Sequence, residues 1–190
     1  MTIFMCRKIC VTNRHLAQGD FLCQIEKVVA TKPAALILRE KDLSEEAYER
    51  LAIKVMAICR AENVPCYFNG RPELAVKLGA QGIQLPLQIA QALDCRARSE
   101  LPCLGISVHS QAEAVCAQNL GASYIIYGHV FATDCKKGVP PRGLEALQIV
   151  CRSVGIPVFA IGGICKKNAW QCIDAGAYGV CMMSEYMELK

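Results

Sequence analysis

One stretch of the chain, residues 127–143 with the sequence YGHVFATDCKKGVPPRG, joins a histidine to cationic and glycine residues. His129 ends an apolar segment, and an imidazole changes charge near neutral pH, so it can accept a proton and later return it. Thr133, Lys136 and Lys137 follow in a loop that suits a cover over an anionic ligand. The stretch therefore predicts a proton-transfer site beside an anion, with a hydrogen-bonding core histidine as the alternative.

Two neighbouring groups offer weaker candidates. His109 lies in SVHSQAEA, where Ser110 and Glu113 have the spacing of a capping box at a helix start, so His109 has either a structural or a catalytic role. Cys135 lies beside two lysines that favour a thiolate, but no base is clearly paired with it. His129 is therefore the catalytic candidate, and nucleophilic catalysis by Cys135 is a minor alternative.

Two other segments predict anion binding. Gly162–Gly163 lacks Cβ atoms, so its N–H groups can approach a phosphate closely, and Met183–Ser184 can add further N–H donors. Arg39 and Lys41 lie two residues apart, on one face of a strand end, where they can bind a second anion such as a carboxylate or a diphosphate. The alternatives are a tight turn at the glycines and a solvated charge cluster at Arg39 and Lys41.

Eight short apolar runs must position these residues, and helical patterns separate most of them. Apolar strands without polar alternation indicate a parallel sheet covered on both faces. Eight strand–helix units predict a (β/α)8 TIM barrel, with a doubly wound open sheet as the alternative. The candidate residues then lie at the carboxyl ends of strands, where such barrels place their chemistry. The runs span 5–13, 34–40, 65–70, 82–86, 103–108, 124–130, 157–163 and 179–184.

Two further features define the expected barrel. A short sequence motif recurs at 78–86, 120–128 and 175–183. In each copy the end of a helix and a glycine that can adopt a positive φ precede an apolar strand. The link between the third and fourth strands is short, so its helix must be small. After Ser184 only EYMELK remains, which predicts a shortened or absent eighth helix. That side is then bare or covered by another subunit, and an exposed apolar groove there favours a homo-oligomer.

Composition narrows the class of protein. The 190 residues are 53% hydrophobic and 20% charged, which suits one packed domain over 1–190. The apolar runs are too short to span a bilayer, and no signal-peptide pattern is present. The 13 cysteines include no C-x-x-C pair, which favours reduced, buried thiols in a cytoplasmic protein over a redox or metal role. A net charge of +4 without a basic stripe favours an anionic small molecule over nucleic acid.

Taken together, the motifs resemble the thiamine phosphate synthase superfamily along nearly the full chain. They are ILREK, YFNGRPELA, GIQLP, GISVHSQAEA, YGHVFATDCKKG, IPVFAIGGI and AGAYGVCMMS. The resemblance implies a (β/α)8 barrel. It implies that the diphosphate side of the site is formed by Arg39, Lys41, Asn69, Ser107 and Lys136. It also implies that the thiazole phosphate is bound by Thr133, Gly163, Met183 and Ser184.

The chain departs from the synthase pattern at the residues that bind magnesium. The synthase pattern has Asn-Asp where this chain has Asn69 and Gly70, and an acidic run where residues 84–88 read QLPLQ. A magnesium ion that bridges a diphosphate requires carboxylate oxygens. The departures therefore disfavour the synthase reaction.

These same departures resemble the TenI-type branch, the thiazole tautomerases. Enzymes of that branch isomerise a carboxythiazole phosphate tautomer to the aromatic form without a metal or redox cofactor, and the resemblance assigns the proton transfer to His129. We therefore expect an isomerase of thiamine biosynthesis whose partner is a thiazole phosphate. The alternatives are a thiamine phosphate synthase, which is a transferase, and a non-catalytic regulatory protein that binds the thiazole phosphate.

Overall fold

The computed structural model, which describes residues 6–190, contains a closed barrel of eight parallel strands in sequential order. The first strand closes the barrel, because Ile9 pairs with Ala35 of the second strand and with Cys181 of the eighth. The predicted TIM barrel is therefore confirmed, and the open sheet is excluded. The strands are β1 Arg7–Val11, β2 Ala35–Leu38, β3 Cys66–Asn69, β4 Gly82–Pro86, β5 Cys103–Val108, β6 Tyr124–Gly128, β7 Val158–Ile161 and β8 Gly179–Met182.

Helices follow every strand and surround the barrel. The helix between β3 and β4 has only seven residues, as the short link predicts, and the helix after β8 has only four, which confirms the shortened eighth helix. The helices are α1 Phe21–Ala30, α2 Glu45–Ala61, α3 Pro72–Leu78, α4 Leu87–Ala92, α5 Cys95–Ser99, α6 Gln111–Asn119, α7 Gly143–Ser153, α8 Ala169–Asp174 and α9 Ser184–Met187.

Alternate residues along the strands fill two separate cores. Ile9, Ile37, Tyr124 and Phe159 belong to the group that fills the inside of the barrel. Neighbouring strand residues such as Leu36 face outward and pack beneath the helices. Because both faces of each strand are buried, the strands read as continuous apolar runs instead of alternating ones.

The recurring helix–glycine–strand motif has the same backbone conformation at all three glycines. Gly79, Gly121 and Gly176 have φ values of 66°, 87° and 97° at the ends of their helices. A side chain would disfavour this left-handed backbone, which turns the chain from the helix back to the next strand. The predicted positive φ at these glycines is therefore confirmed.

The shortened last helix still covers part of the barrel. Tyr186 and Met187 of α9 are buried, and Gln24 of α1 donates from Nε2 to the carbonyl oxygens of Tyr186 (2.8 Å) and Leu189 (3.0 Å). The bare side expected from the sequence is thus covered in part by α9 and by its contact with α1.

The cysteines are all free thiols, and their burial is mixed. Five of them are buried, whereas Cys103 and Cys116, which the sequence also predicts to be buried, are only half-buried, and Cys135 is exposed. Burial raises the pKa of the Cys172 thiol to about 12, so this thiol stays protonated at neutral pH. No helix within residues 6–190 is long and apolar enough to cross a membrane.

Candidate active site

A cavity of about 690 Å³ opens at the carboxyl ends of the strands. Lys41, Asn69 and Ser107 do not line it, although the sequence predicts all three as site residues. The cavity therefore belongs mainly to one side of the rim, from β6 through β8 to β2. The predicted site residues that do line it are Arg39, His129, Thr133, Lys136, Gly162, Gly163, Met183 and Ser184.

His129 directly follows β6 and forms part of the cavity wall. Only 6% of its surface is exposed, and its Nε2 lies 3.2 Å from the carbonyl oxygen of Val139. Backbone hydrogen bonds hold its segment, since Val130 N donates to Ile161 O (2.9 Å) and Arg142 N donates to His129 O (3.0 Å). A buried imidazole fixed in one orientation beside a ligand-sized cavity is suited to proton transfer.

Both glycines of the turn after β7 are required by close packing. Gly162 has φ 101°, and a Cβ there would lie 2.2 Å from Cβ of His129. Gly163 has φ 64°, and its Cβ would lie 2.3 Å from the carbonyl oxygen of Ala132. Gly162 and Gly163 thus form a tight turn, as one of the two interpretations of the sequence expects. This turn packs directly against His129.

The same turn also leaves donors for an anion. The N–H groups of Gly163 and Ser184 donate to no other group within residues 6–190, and both residues line the cavity. Unpaired backbone N–H groups at a cavity wall are suited to a phosphate. The geometry is consistent with the predicted phosphate site at this end of the cavity.

Three cations, Arg39, Lys41 and Lys136, lie near one another, and Arg39 and Lys136 line the cavity. The positive charge of Arg39, followed by partial burial and by Lys136, lowers the pKa of Lys41, which places the three cations near one another. None of the three forms a salt bridge in the part of the chain that the structure describes. Uncompensated positive charge at a cavity is suited to a second anion.

Carboxylates next to Arg39 and Lys41 point away from them. Glu40, which lies between them, turns towards the residues that follow β1. There it accepts hydrogen bonds from Thr12 Oγ1 (2.7 Å) and from Arg14 NH1 (3.1 Å). A buried carboxylate requires hydrogen-bond donors, and the segment after β1 supplies them.

Arg14 also binds the second acidic group of this loop, Asp42. The hydrogen bond from Arg14 lowers the pKa of Asp42, so this carboxylate is ionised and already paired. Thr12 Oγ1 in turn accepts from the backbone N–H of Arg39 at 2.9 Å. The β2 loop thus separates its charges, with its carboxylates bound to Arg14 and its cations left free.

Gln84 is a buried polar residue that the sequence does not identify as a site residue. Its Nε2 donates to Ser107 Oγ at 2.9 Å, and its backbone carbonyl oxygen accepts from Gly70 N (2.9 Å) and Asn69 Nδ2 (3.4 Å). Gln84 therefore connects two predicted site residues that lie outside the cavity lining. The available signal was a lone glutamine in the otherwise apolar strand GIQLP.

The loop after β6 is shaped by its own polar residues. Thr133 Oγ1 accepts from Cys135 N at 3.4 Å, which caps a 3-10 turn over Asp134–Lys136. Lys137 Nζ lies 3.5 Å from Asp134, and both side chains are exposed. Asp134 and Lys137 therefore shape the turn, and Thr133, Asp134 and Lys136 line the cavity.

His109 is a second histidine of the cavity lining. The predicted cap of α6 is present, because Ser110 Oγ accepts from Glu113 N at 3.2 Å and Glu113 Oε2 accepts from His109 N at 2.6 Å. The imidazole makes a separate contact, with Nδ1 at 2.7 Å from the carbonyl oxygen of Gly128. His109 thus combines a backbone role at the helix start with a ring contact next to His129.

Comparisons with known proteins agree with this architecture. Residues 9–186 match the family described as thiamine monophosphate synthase. A putative thiamine-phosphate synthase 2 of Aquifex aeolicus is 31% identical over 182 residues, covering 96% of this chain and 98% of its own. The thiamine-phosphate synthase of Bacillus licheniformis is 36% identical over 173 residues, covering 87% of this chain and 76% of its own.

A solved structure supports the same assignment. The thiamine phosphate pyrophosphorylase from Pyrococcus furiosus superposes with a TM-score of 0.81 at 25% identity, covering 96% of this chain and 93% of its own. Of the two activities that the sequence suggests, the names of these relatives favour the synthase over the tautomerase.

Proposed function

Because this chain belongs to the thiamine monophosphate synthase family, we propose that its cavity binds a thiazole phosphate and that His129 isomerises the ring, which is the thiazole tautomerase reaction. One observation carries the proposal. A buried histidine and unpaired N–H donors line the same cavity, and the neighbouring ends of β3 and β4 carry no carboxylate. That combination is suited to moving a proton on a phosphate-bearing ring without a metal ion.

Each part of the cavity has a role in this reaction. The N–H groups of Gly163 and Ser184 donate to the phosphate, which anchors the ring against His129. His129 takes a proton from one position of the ring and returns it at another, so the composition and the oxidation state of the substrate are unchanged. Arg39 binds the substrate carboxylate and stabilises the negative charge that develops when the proton leaves.

A magnesium site of the synthase type does not fit the residues present. At the ends of β3 and β4 the chain offers Asn69, Gly70 and Gln84 in place of carboxylates. The nearby Glu40 and Asp42 are already bound to Arg14. No group of three or more His, Cys, Asp or Glu side chains within residues 6–190 is arranged to hold a metal ion.

A second candidate is the thiamine phosphate synthase reaction, which joins a pyrimidine diphosphate to a thiazole phosphate. The names of the curated relatives favour it, and the uncompensated cations Arg39, Lys41 and Lys136 suit a diphosphate. The synthase reaction would require this chain to bind the diphosphate without the two acidic residues that bind magnesium in the synthase pattern.

One experiment separates the candidates. The purified protein is given the thiazole phosphate tautomer alone, and separately the aromatic thiazole phosphate with the pyrimidine diphosphate and Mg²⁺. We expect aromatisation in the first reaction and no coupling in the second. Magnesium-dependent coupling without aromatisation supports the synthase. Binding of the thiazole phosphate, seen as a rise in melting temperature, without either reaction supports a regulatory protein.

A further inference from the structure

Two of the three histidines face the cavity. His109 and His129 both line it, whereas His15 is exposed, does not line it and has its Nε2 3.1 Å from Asp42. The proposed reaction uses only His129. The contacts of the two cavity imidazoles determine what His109 contributes.

His109 is held by the carbonyl group that immediately precedes His129. Its Nδ1 lies 2.7 Å from the carbonyl oxygen of Gly128. A carbonyl oxygen only accepts hydrogen bonds, so Nδ1 of His109 must carry the hydrogen. In the neutral ring Nε2 is then the unprotonated nitrogen.

His129 has the opposite arrangement. Its Nε2 lies 3.2 Å from the carbonyl oxygen of Val139, so Nε2 carries the hydrogen in the neutral ring. Its Nδ1 has no hydrogen-bond partner within residues 6–190. The nitrogen of His129 that can accept a proton is therefore Nδ1.

The Gly128 carbonyl is bound from two sides. Besides His109 Nδ1, it accepts a hydrogen bond from Arg142 Nε at 3.1 Å. On the other side of His129 lies Gly162, where even a methyl group would be 2.2 Å from Cβ of His129. The backbone that carries the catalytic imidazole is thus fixed, and His109 supplies one of the two side-chain donors that fix it.

We propose that the two cavity histidines are held in opposite tautomers, that Nδ1 of His129 is the proton-accepting atom, and that His109 is a positioning residue that fixes the Gly128 peptide beside it. The tautomer assignment stands independently of the reaction. The effect of His109 on turnover rests on the proposed function.

The ring nitrogens can be observed directly. The full chain labelled with ¹⁵N-histidine contains three imidazoles, which His15→Gln, His109→Gln and His129→Gln assign one at a time. At a pH where the rings are neutral, we expect the hydrogen on Nδ1 of His109 and on Nε2 of His129. A spectrum with the same tautomer in both rings, or with the two assignments exchanged, overturns the proposal.

The positioning role has a kinetic test. An asparagine amide can place an N–H group near the position of imidazole Nδ1. We therefore expect His109→Ala to lower kcat for the tautomer by up to roughly 100-fold with little change in KM, and His109→Asn to recover most of it. His15→Ala serves as the matched control, since its ring lies outside the cavity, and melting temperatures confirm that each variant is folded.

Two results overturn the positioning role: wild-type kcat in His109→Ala, or a folded His109→Asn variant as slow as His109→Ala. A wild-type protein without tautomerase turnover contradicts the proposed function alone. In that case the nitrogen spectra decide the inference, because they require no substrate.

Discussion

The two halves of the barrel rim are built differently. Around β6, β7 and β8 the site consists of backbone and closely packed atoms, with Gly162 against His129 and unpaired N–H groups at Gly163 and Ser184. Around β2 to β5 it consists of side chains, with the cations Arg39 and Lys41 after β2 and with Gln84, which donates a hydrogen bond to Ser107. The first half holds the imidazole of His129 in one position, whereas the second provides positive charge for an anion on longer side chains that can change conformation.

This difference predicts different responses to substitution. Changes in the β6–β8 half should disturb stability and turnover, because no space is available there. Changes in the β2–β5 half should disturb substrate binding, because the charged groups act through electrostatic attraction across the cavity.

The largest effect outside His129 is expected at Gly162. Gly162→Ala forces a methyl group to within 2.2 Å of Cβ of His129, whereas Gly70→Ala, also at positive φ, meets nothing within 4 Å. We expect Gly162→Ala to lower the free energy of unfolding by roughly 1–3 kcal/mol more than Gly70→Ala. Urea unfolding of both variants measures the difference, and equal losses would show that the two halves are not packed differently.

The largest effect on KM is expected at Arg39. Arg39→Gln removes a charge-assisted contact to the substrate carboxylate worth about 1.5–3 kcal/mol, which raises KM on the order of tenfold to a hundredfold. Ser184→Ala should raise KM less, because the backbone N–H remains. Steady-state kinetics on the thiazole tautomer compare the two. A rise in Ser184→Ala as large as that in Arg39→Gln would contradict the division into side-chain and backbone binding.

A still smaller effect is expected from the residue that separates the charges. Arg14→Gln releases Asp42, which can then approach Arg39 and Lys41 and weaken their attraction for an anion. KM should rise less than in Arg39→Gln. The double variant Arg14→Gln/Asp42→Asn should recover it, with Asp42→Asn as the control. Failure of the double variant to recover KM would mean that Arg14 acts through the fold and not through Asp42.

The smallest effect is a pH dependence set by Lys41. Arg39, burial and Lys136 lower the pKa of Lys41, so Lys41 loses its proton at a lower pH than an ordinary lysine. Anion binding should therefore weaken as the pH rises into the alkaline range. Lys41→Arg should remove this loss, because a guanidinium stays protonated there. Titration of inorganic phosphate binding against pH compares the two proteins, and identical profiles would contradict the assignment.

Local patterns explain which parts of the fold could be predicted from the sequence. The buried strands and the positive φ at Gly79 and Gly121 depend on residues that are close in the sequence. Runs of apolar residues therefore indicate the strands, and the glycines indicate the turns. The order of polar groups at the strand ends follows from the barrel itself, so His129, Arg39 and Gly163 could be placed at one rim.

Contacts between distant residues could not be predicted in this way. Glu40 turns to Thr12 and Arg14, Gln84 reaches Ser107, and His129 meets the carbonyl of Val139. Each contact depends on where a neighbouring strand or a returning loop places a hydrogen-bond donor or acceptor. The periodicity of apolar residues in the sequence carries no information about that placement. For the same reason the sequence suggests Lys41, Asn69 and Ser107 as equal partners of the cavity, although none of the three lines it.

Product analysis on the thiazole phosphate tautomer, in the presence of a metal chelator, tests the central claim most directly. The wild-type protein is compared with His129→Asn, and a melting-temperature shift with the aromatic thiazole phosphate confirms that both bind the ligand. We predict that the wild type forms the aromatic product and that His129→Asn binds it but loses most of the conversion. Full conversion by a folded His129→Asn, or no conversion by the wild type, would contradict the account.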